Sequence, residues 1–316
     1  MNDAIAVEGL KKRFAEVEAV SGLSFVVRRG ELFGFLGPNG AGKTTMMKIL
    51  TTFISPTAGT AKVAGYDVLD DSLEVRRRLG YLPEQCPIYD DVTVYEYLEY
   101  VAEARDLPAD RLQQRLYRTL ELCGLTGRVD QIIGTLSKGY RQRVGLAQAM
   151  IHEPDVLILD EPTSGLDPNQ IVEIREVIKR IGREKTVILS THILSEVQAT
   201  CDRVVIINQG RLIADGTPDD LVRQMGSNDL VVGLKRSGCK LEEARELLGK
   251  LPGVVSVGEQ RGEELRTLLL RLGVGGKQDV RPELFRAVVE RGWVLLELRR
   301  AEHNLEDVFR QLTTGK

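Results

Sequence analysis

Cysteine is scarce in this chain of 316 residues. The four cysteines are scattered along the sequence, and no two of them form a CxxC pair. Such spacing does not match a zinc ribbon or the disulfide framework of a small secreted protein. We therefore expect free, reduced thiols in a cytosolic protein; the positions are Cys86, Cys123, Cys201 and Cys239.

Long apolar runs and a basic excess are also missing. No segment approaches the roughly 18 apolar residues of a membrane-spanning helix, and the start, "MNDAIAVEGLKKRF", lacks the pattern of a secretory signal. The chain has 43 Lys and Arg against 46 Asp and Glu, whereas proteins that bind bulk nucleic acid are usually basic. This composition predicts a soluble globular protein without a nucleic-acid partner.

Apolar patterns indicate an α/β region that occupies most of the chain. Residues 1–35 alternate short apolar and polar runs separated by glycine, as strands do. From about Leu73 to Ile151, apolar residues recur three and four positions apart, which predicts helices. The continuous apolar runs at 155–160 and 186–191 predict strands buried on both faces of a parallel sheet.

The remaining tail, from about Met225, carries no recognisable motif. Its patterns predict a strand, a helix, two strands, a helix and a strand, followed by a closing helix in "NLEDVFRQLT". The βαββαβ order is that of a ferredoxin-like α+β domain. We therefore predict two domains, residues 1–225 and 226–316, with a helical subdomain at about 84–152 within the first.

A glycine-rich segment, "GPNGAGKTT", has the pattern G-x-x-x-x-G-K-[ST] between a predicted strand and a predicted helix. Its glycines let backbone N–H groups turn towards a phosphate, Lys43 adds a cation near the outer phosphates, and Thr44 offers a hydroxyl to Mg²⁺. The segment thus predicts a site for nucleotide phosphates, formed by Gly37, Pro38, Asn39, Gly40, Ala41, Gly42, Lys43, Thr44 and Thr45.

Polar side chains follow the two buried strands. Asp160 ends the run "VLILD", where it can hold a Mg²⁺-bound water, and Glu161 is the candidate that orients or deprotonates the attacking water. His192 follows the run "TVILST", at the sheet edge where parallel strands collect functional groups. A lone histidine is more often structural, but beside a nucleotide site we predict that His192 contacts the γ-phosphate.

With these motifs in order, residues 1 to about 225 resemble the ATP-binding subunit of an ABC transporter. The segment "TLSKGYRQR" is similar to that family's signature motif, usually written LSGGQ, and "SGLD" is similar to its D-loop. The resemblance implies a phosphate-loop ABC ATPase domain with a mixed sheet core and a helical insertion. It also implies that ATP and Mg²⁺ are bound, and that Ser137, Gly139 and Asp167 contact the nucleotide.

Two further positions are assigned by the resemblance with an alternative at each. Phe14 falls where the family places an aromatic ring under adenine, although an aromatic residue there could equally be core packing. The family's Q-loop glutamine corresponds to Glu84, with Gln85 next, and either residue could reach Mg²⁺. The signature also departs from the usual pattern, with Lys138 and Tyr140 in place of glycine and glutamine.

The signature is half of a phosphate site. Ser137 has the character of a helix N-cap, so the motif presents a helix N-terminus that can meet a γ-phosphate. In the family it does so in trans, because two copies dock head to tail and each signature closes over the partner's phosphate loop. The resemblance therefore implies an ATP-dependent homodimer, or a dimer with a related ATPase subunit.

The segments "GYLPEQCPIYDDVTVYEYL" and "NLEDVFRQLT" most resemble ABC-2-type exporter ATPases, including the gliding-motility-associated group. The resemblance implies an ATPase that drives export through a separately encoded membrane permease, at the cytoplasmic face of the membrane. Residues around Glu84–Tyr100 and the helical subdomain would contact that permease.

Two other functions fit the sequence less well. A soluble ABC ATPase that acts on DNA or ribosomes would tend to carry two nucleotide domains, long coiled coils or basic arms, and none is visible here. A module that senses ATP without hydrolysis is disfavoured by the presence of Glu161 and His192. The transported substrate is not encoded in any motif of this chain, since ATPase subunits of this family do not contact cargo.

Overall fold

The computed structural model describes residues 3–224, 229–260, 267–275, 279–301, 305–306 and 309. The chain divides into two compact units, the first comprising Met1–Leu221 and the second Val222–Val308. Phe309, beyond the second unit in sequence, is grouped with the first. No helix in the described ranges is long and apolar enough to cross a membrane.

Ten strands and eight helices precede residue 225. The strands are β1 (Asp3–Phe14), β2 (Val17–Arg28), β3 (Leu32–Leu36), β4 (Ala58–Val63), β5 (Tyr66–Asp67), β6 (Leu79–Leu82), β7 (Val156–Asp160), β8 (Thr186–Thr191), β9 (Arg203–Asn208) and β10 (Arg211–Gly216). The helices are α1 (Lys43–Leu50), α2 (Ser72–Arg78), α3 (Val94–Ala104), α4 (Ala109–Cys123), α5 (Lys138–Met150), α6 (Pro168–Gly182), α7 (Leu194–Thr200) and α8 (Pro218–Gln224).

A six-stranded sheet of order β10-β9-β3-β8-β7-β6 forms the centre of the first unit. All its neighbours pair in parallel except β9 and β10. Every residue of β3, β7 and β8 is buried, as expected of continuous apolar runs in a sheet covered on both faces. The register pairs Leu36 with Thr191 and Asp160 with Ser190, so the carboxyl ends of these three strands lie side by side.

A second, antiparallel sheet of order β2-β1-β4-β5 shares the hydrophobic core of the first unit. Phe25 of β2 stacks on Phe33 of β3 with ring centroids 5.7 Å apart. Met46 and Met47 of α1 are fully buried in the same core. This packing fixes the phosphate loop and α1 above the end of β3.

The expectation of helices from about Leu73 to Ile151 is wrong at Leu79–Leu82. Residues Leu79–Leu82 form β6, which pairs in parallel with β7. Gly80 lies so close to α5 that a Cβ there would be 2.1 Å from the Ala149 carbonyl oxygen. A four-residue strand between helical patterns has no periodicity of its own, so its partner in the sheet decides its conformation.

The predicted helical subdomain contains α3, α4 and α5. Thr93 begins α3 with a capping box, in which its hydroxyl accepts from Glu96 N–H at 3.2 Å and Glu96 accepts from Thr93 N–H at 2.8 Å. Gly124, at φ 67°, ends α4 in the left-handed conformation that glycine adopts at low cost. Ser137 begins α5, as the sequence predicted.

Within the part of the second unit that the structure describes, the named strands and helices from residue 230 to 300 are β11 (Leu230–Lys235), α9 (Leu241–Gly249), β12 (Val254–Gln260), β13 (Thr267–Val274), α10 (Arg281–Glu290) and β14 (Leu295–Arg300). Its sheet has the order β12-β13-β11-β14, and every neighbouring pair is antiparallel. Apolar residues of both helices pack on the strands in a separate core. Most of the predicted closing helix lies outside the described residues.

Candidate nucleotide-binding site

A cavity of about 330 Å³ lies where β3, β7 and β8 end. The phosphate loop forms one wall, and residues that follow the strand ends form the other. Because both walls are polar and the loop supplies backbone N–H groups, the cavity can hold an anionic ligand. Its lining residues are Ala19, Asn39, Gly40, Gly42, Lys43, Thr44, Thr45, Glu84, Glu161, Ser164 and His192.

Two glycines of the loop have no room for a side chain. Gly42 has φ 104°, and a Cβ there would lie 2.4 Å from the Ala19 carbonyl oxygen. At Gly37 a Cβ would lie 2.6 Å from the Ile207 carbonyl oxygen. The glycines that the motif requires are therefore also required by the local packing.

The other predicted loop residues divide into two groups. Asn39, Gly40, Thr44 and Thr45 line the cavity, as does Lys43. Gly37, Pro38 and Ala41 are not among the residues that line the cavity, and their carbonyl groups accept hydrogen bonds within the protein. The carbonyl oxygens of Gly37 and Pro38 accept from Lys43 Nζ, at 2.8 and 3.3 Å, and the Ala41 carbonyl accepts from Gly210 N–H at 2.9 Å.

Helix α1 starts at Lys43 and points its N-terminus at the cavity. Its N-cap residue, Gly42, makes no side-chain capping bond. The first N–H groups of the helix therefore remain available to an anion, and the helix dipole favours negative charge at the same place.

Three charged or titratable side chains form a chain of contacts across the cavity. Lys43 Nζ lies 3.2 Å from Glu161 Oε1, and Glu161 Oε2 lies 2.9 Å from His192 Nδ1. Lys43 and Glu161 are each only 6% exposed, whereas His192 is exposed. The structure thus places Glu161 between the cation of the phosphate loop and His192, in contact with both.

Glu161 has a strained backbone that directs its side chain. Its φ of 48° lies in the left-handed region, which is rare for a residue other than glycine. The peptide is held there because Glu161 N–H donates to the Ser190 carbonyl at 3.0 Å and its own carbonyl accepts from Ser164 N–H at 3.0 Å. Strain of this kind is common at functional sites, where surrounding bonds hold an unfavourable conformation.

Asp160 is the last residue of β7. One of its carboxylate oxygens accepts a hydrogen bond, and the other has no hydrogen-bond partner among the described residues. The Ser190 hydroxyl donates to Oδ1, while Oδ2 is buried and has no hydrogen-bond partner among the described residues. Burial raises the pKa of the Asp160 carboxyl, and the neighbouring hydroxyls of Ser190 and Thr44 oppose that shift. A buried carboxylate oxygen beside the Thr44 hydroxyl suits a hydrated Mg²⁺.

Comparison with known proteins identifies the family. Residues 20–164 match the family model described as ABC transporter. A daunorubicin resistance ATP-binding protein of Streptomyces coeruleorubidus is 35% identical over 311 residues, which cover 98% of this chain and 96% of the relative. The chain belongs to the ABC transporter ATP-binding proteins. This ABC protein is an ATP-binding and ATP-hydrolysing subunit, as the resemblance implied.

Two further comparisons agree with this assignment. A Nod factor export ATP-binding protein of Ralstonia nicotianae is 38% identical over 262 residues, covering 83% of this chain and 80% of the relative. The solved structure of cbiO1 from Clostridium perfringens, part of the ABC transporter complex cbiONQ, has a TM-score of 0.66 and 26% identity. That likeness covers 80% of this chain and 97% of the cbiO1 chain.

The two candidate metal-binding residues in the Q-loop of this ABC protein differ in their position relative to the nucleotide cavity. Glu84 lines the nucleotide cavity and its Oε1 accepts from the Ser164 hydroxyl at 3.4 Å. Gln85 lines an adjoining cavity of about 310 Å³ instead. Of the two alternatives, the geometry favours Glu84.

The ABC signature lies outside the residues that line the nucleotide cavity of the same chain. Ser137 Oγ accepts from Tyr140 N–H at 3.5 Å as the N-cap of α5. Gly139 faces α6, since a Cβ there would lie 3.0 Å from Gln170 Cδ. Lys138 reaches the D-loop, where its Nζ lies 2.2 Å from the position that a Cβ on Gly165 would take.

Asp167 and Phe14 are likewise absent from the residues that line the described cavity. Asp167 begins α6, and its Oδ1 accepts from Asn169 and Gln170 N–H at 3.0 Å each. Phe14 is 46% exposed, with Lys12 Nζ 5.0 Å from its ring centroid. Its exposure argues against core packing and leaves the ring available for stacking.

Two residues of the cavity and one behind it were not among the predicted site residues. Ser164 belongs to the recognised D-loop, so the signal was present, whereas Ala19 lies in a strand with no motif. Glu196 of α7 is buried behind the site and bonds to Thr163 and Thr191. Nothing in its local sequence distinguishes Glu196 from a surface acid.

Proposed function

We propose that this chain is the ATPase subunit of an ABC-2-type exporter. The contact chain from Lys43 through Glu161 to His192 is the observation that carries the catalytic part of the proposal. Relatives named for Nod factor export and for daunorubicin resistance support export as the direction of transport. The finer resemblance to gliding-motility-associated ATPases stays a prediction.

The geometry supports general base catalysis by Glu161. Its carboxylate lies at the end of β7, and it is directed into the cavity between Lys43 and His192. Phosphate oxygens that bind to Lys43 would compete with Glu161 Oε1 for the ammonium group. The carboxylate is then free to accept a proton from an attacking water, while His192 orients Glu161 and contacts the γ-phosphate.

The residues present also fit Mg²⁺. Thr44 supplies a hydroxyl, Asp160 supplies an unpartnered buried oxygen, and Glu84 supplies a second carboxylate at the cavity wall. Among the described residues, no group of three or more His, Cys, Asp or Glu is arranged to hold a metal alone. Nucleotide oxygens would therefore complete the ligand set. Bound there, Mg²⁺ neutralises charge on the β- and γ-phosphates.

A head-to-tail dimer explains why the signature and its own cavity are apart. Ser137 is exposed at the start of α5, so the helix N-terminus and its hydroxyl are accessible to a second copy or a related subunit. Asp167 of the D-loop is positioned as the N-cap of α6. We infer that each signature contacts the γ-phosphate bound to the partner's phosphate loop.

We also propose that the permease contacts the region around Glu84–Tyr100, next to the Q-loop. Tyr89 and Tyr100 are 60% and 54% exposed, and their ring centroids are 6.0 Å apart. Exposed aromatic pairs of this kind are enriched at protein interfaces. A permease docked at these residues would hold the subunit at the cytoplasmic face of the membrane.

The second unit has the strand order 4-1-3-2 when its strands are numbered along the chain. This order, together with two helices that share one core with the sheet, supports a ferredoxin-like domain. We keep the division into an ATP-binding domain at 1–225 and an accessory domain at 226–316. Both a dimer-stabilising and a regulatory role suit such a domain.

Phosphate release tests the proposal directly. Glu161→Gln keeps the side-chain shape but removes the base, so MgATP should bind while turnover falls by about 10²-fold or more. The variant should also accumulate as an ATP-held dimer on size exclusion. Hydrolysis by Glu161→Gln at the parental rate would show that the catalytic assignment is wrong, and recovery of the chain with a membrane permease tests the transporter assignment.

A further inference from the structure

Glu196 is a buried carboxylate that contacts two separate segments of the nucleotide site. It lies on α7, and only 3% of the residue is exposed. The Thr163 hydroxyl donates to Oε1, and the Thr191 hydroxyl donates to Oε2 at 2.8 Å. Both oxygens of one carboxylate are therefore used to hold hydroxyl groups from separate segments.

Each of the two hydroxyls belongs to a segment with a proposed catalytic residue. Thr163 follows Glu161 by two positions and precedes the D-loop. Thr191 is the last residue of β8 and directly precedes His192. Thr191 Oγ1 also accepts from Ile193 N–H at 3.0 Å, so the backbone on the far side of His192 is tied to the same group.

We infer that Glu196 is a positioning residue that fixes Glu161 relative to His192. This inference rests on the proposed catalytic roles of those two residues. Burial of a carboxylate is costly unless it is hydrogen-bonded, so Glu196 keeps its bonds to both hydroxyls. The two segments that carry these hydroxyls are therefore held in a fixed relative position. The 2.9 Å contact between Glu161 Oε2 and His192 Nδ1 then depends on two bonds that meet at one side chain.

The connection also links the D-loop to His192. Thr163 lies at the beginning of the turn that leads to Asp167. A displacement of that turn by a docked second chain would move Thr163, and through Glu196 it would move Thr191. Positioning errors of about 1 Å can cost on the order of 10²-fold in rate, so even a small displacement would change turnover.

Removal of one hydroxyl at a time tests the inference in the full chain. Thr163→Val and Thr191→Val each keep the side-chain shape and remove one bond to Glu196, and Thr191→Val also removes the acceptor of Ile193 N–H. Each should lower kcat for ATP hydrolysis by about ten- to a hundredfold, with KM for MgATP changed by less than about twofold. Because either substitution breaks the same link through Glu196, kcat of the double variant should be about equal to kcat of the slower single variant.

Thr186→Val is the matched control. Thr186 is 2% exposed and lies at the opposite end of β8, where its hydroxyl accepts from Gly30 N–H at 2.9 Å. This variant loses a buried hydroxyl on the same strand and should retain the parental kcat. Thr163→Ser and Thr191→Ser keep the hydroxyl and should restore most of the rate. Thermal midpoints and MgATP binding, measured on every variant, establish that the comparison is among folded proteins.

Two results would overturn the inference. One is a double variant whose loss in kcat equals the product of the two single losses. Multiplied losses would mean that the two hydrogen bonds act independently. The other is a parental kcat in either valine variant. If a valine variant does not fold, Glu196→Met removes both bonds at similar volume, and a folded Glu196→Met protein with parental kcat overturns the inference as well.

Glu161→Gln, assayed in parallel, separates this inference from the proposed function. If Glu161→Gln turns over ATP at the parental rate, the proposed base is wrong. The other outcome is an inactive Glu161→Gln together with a double valine variant whose loss in kcat equals the product of the two single losses. In that case Glu161 remains the proposed base and the positioning role of Glu196 is rejected.

Discussion

Lys43 Nζ lies 3.2 Å from Glu161 Oε1, and the two side chains are only 6% and 8% exposed. The phosphate-loop cation and the proposed base thus form a buried ion pair. Two backbone carbonyls, those of Gly37 and Pro38, also accept from the same ammonium group. Loss of one member of a buried pair leaves the other charge without its partner, which is more costly than loss of both.

This pair predicts unequal effects on stability. Lys43→Met should lower the free energy of unfolding by about 3 kcal/mol because it leaves Glu161 buried beside His192 alone. The double variant Lys43→Met/Glu161→Gln, which removes both charges, should recover part of that loss. Denaturant unfolding of the parental, single and double variants measures the coupling, and strictly additive losses would show that the contact contributes nothing to stability.

Glu84 is expected to set the magnesium requirement. Glu84→Gln removes the negative charge from the cavity wall while it keeps the side-chain length. The Mg²⁺ concentration for half-maximal ATP hydrolysis should then rise by about tenfold, and Mn²⁺ binding to the ATP complex, followed by electron paramagnetic resonance, should weaken similarly.

Gln85→Ala is the companion variant for this measurement. Gln85 lines the adjoining cavity, so its removal should leave the Mg²⁺ requirement within about twofold of the parental value if Glu84 is the ligand. A tenfold rise in Gln85→Ala together with a parental value in Glu84→Gln would assign the metal contact to Gln85 instead.

Gly42 is expected to tolerate no side chain. Gly42→Ala would combine φ 104° with a Cβ only 2.4 Å from the Ala19 carbonyl oxygen, so the loop must move away from its phosphate-binding form. Gly30→Ala is the matched control, because Gly30 has φ 74° but no atom within 4 Å of its added Cβ. Gly30→Ala should cost about 1 kcal/mol of stability without loss of ATP affinity. Equal ATP affinity in both variants would contradict this prediction.

The positions of Asp160 and His192 could be predicted because Asp160 ends one apolar run and His192 directly follows another. Continuous apolar runs predicted β7 and β8 as buried strands of a parallel sheet, and the register that pairs Asp160 with Ser190 shows that they are neighbours in it. Parallel strands present their carboxyl ends at one edge, so the relative position of these side chains follows from the strand pattern alone. Ser137 was predicted as a helix N-cap for a similarly local reason.

Other features could not be predicted because long-range packing determines them. β6 has only four residues, and its partner β7 is more than seventy positions away in sequence. Glu196 bonds to Thr163, which is separated from it by 33 positions, in a helix of seven residues with no motif. The left-handed conformation of Glu161 is likewise held by bonds from Ser190 and Ser164, and no propensity of glutamate favours it.

The last prediction concerns Ser137 and the dimer. Two inactive variants are needed: Lys43→Ala, which disables a chain's own phosphate loop, and Ser137→Arg, which disables the signature that the chain offers. If the signature acts in trans, a mixed dimer has one site with both defects and one site with neither. Random mixing makes about half of the dimers mixed, so at most about a quarter of the parental sites return.

The measurement uses the two variants alone and together, under conditions in which ATP promotes dimers. Phosphate release and occluded nucleotide are both recorded, because turnover recovers less than occlusion if the two sites must fire together. Each variant mixed with itself is the control and should stay inactive. If Ser137 instead serves its own chain's nucleotide, every site in every dimer carries a defect. Mixed dimers shown to form without recovery of either signal would reject the trans arrangement, since Ser137 would then have no partner site to complete.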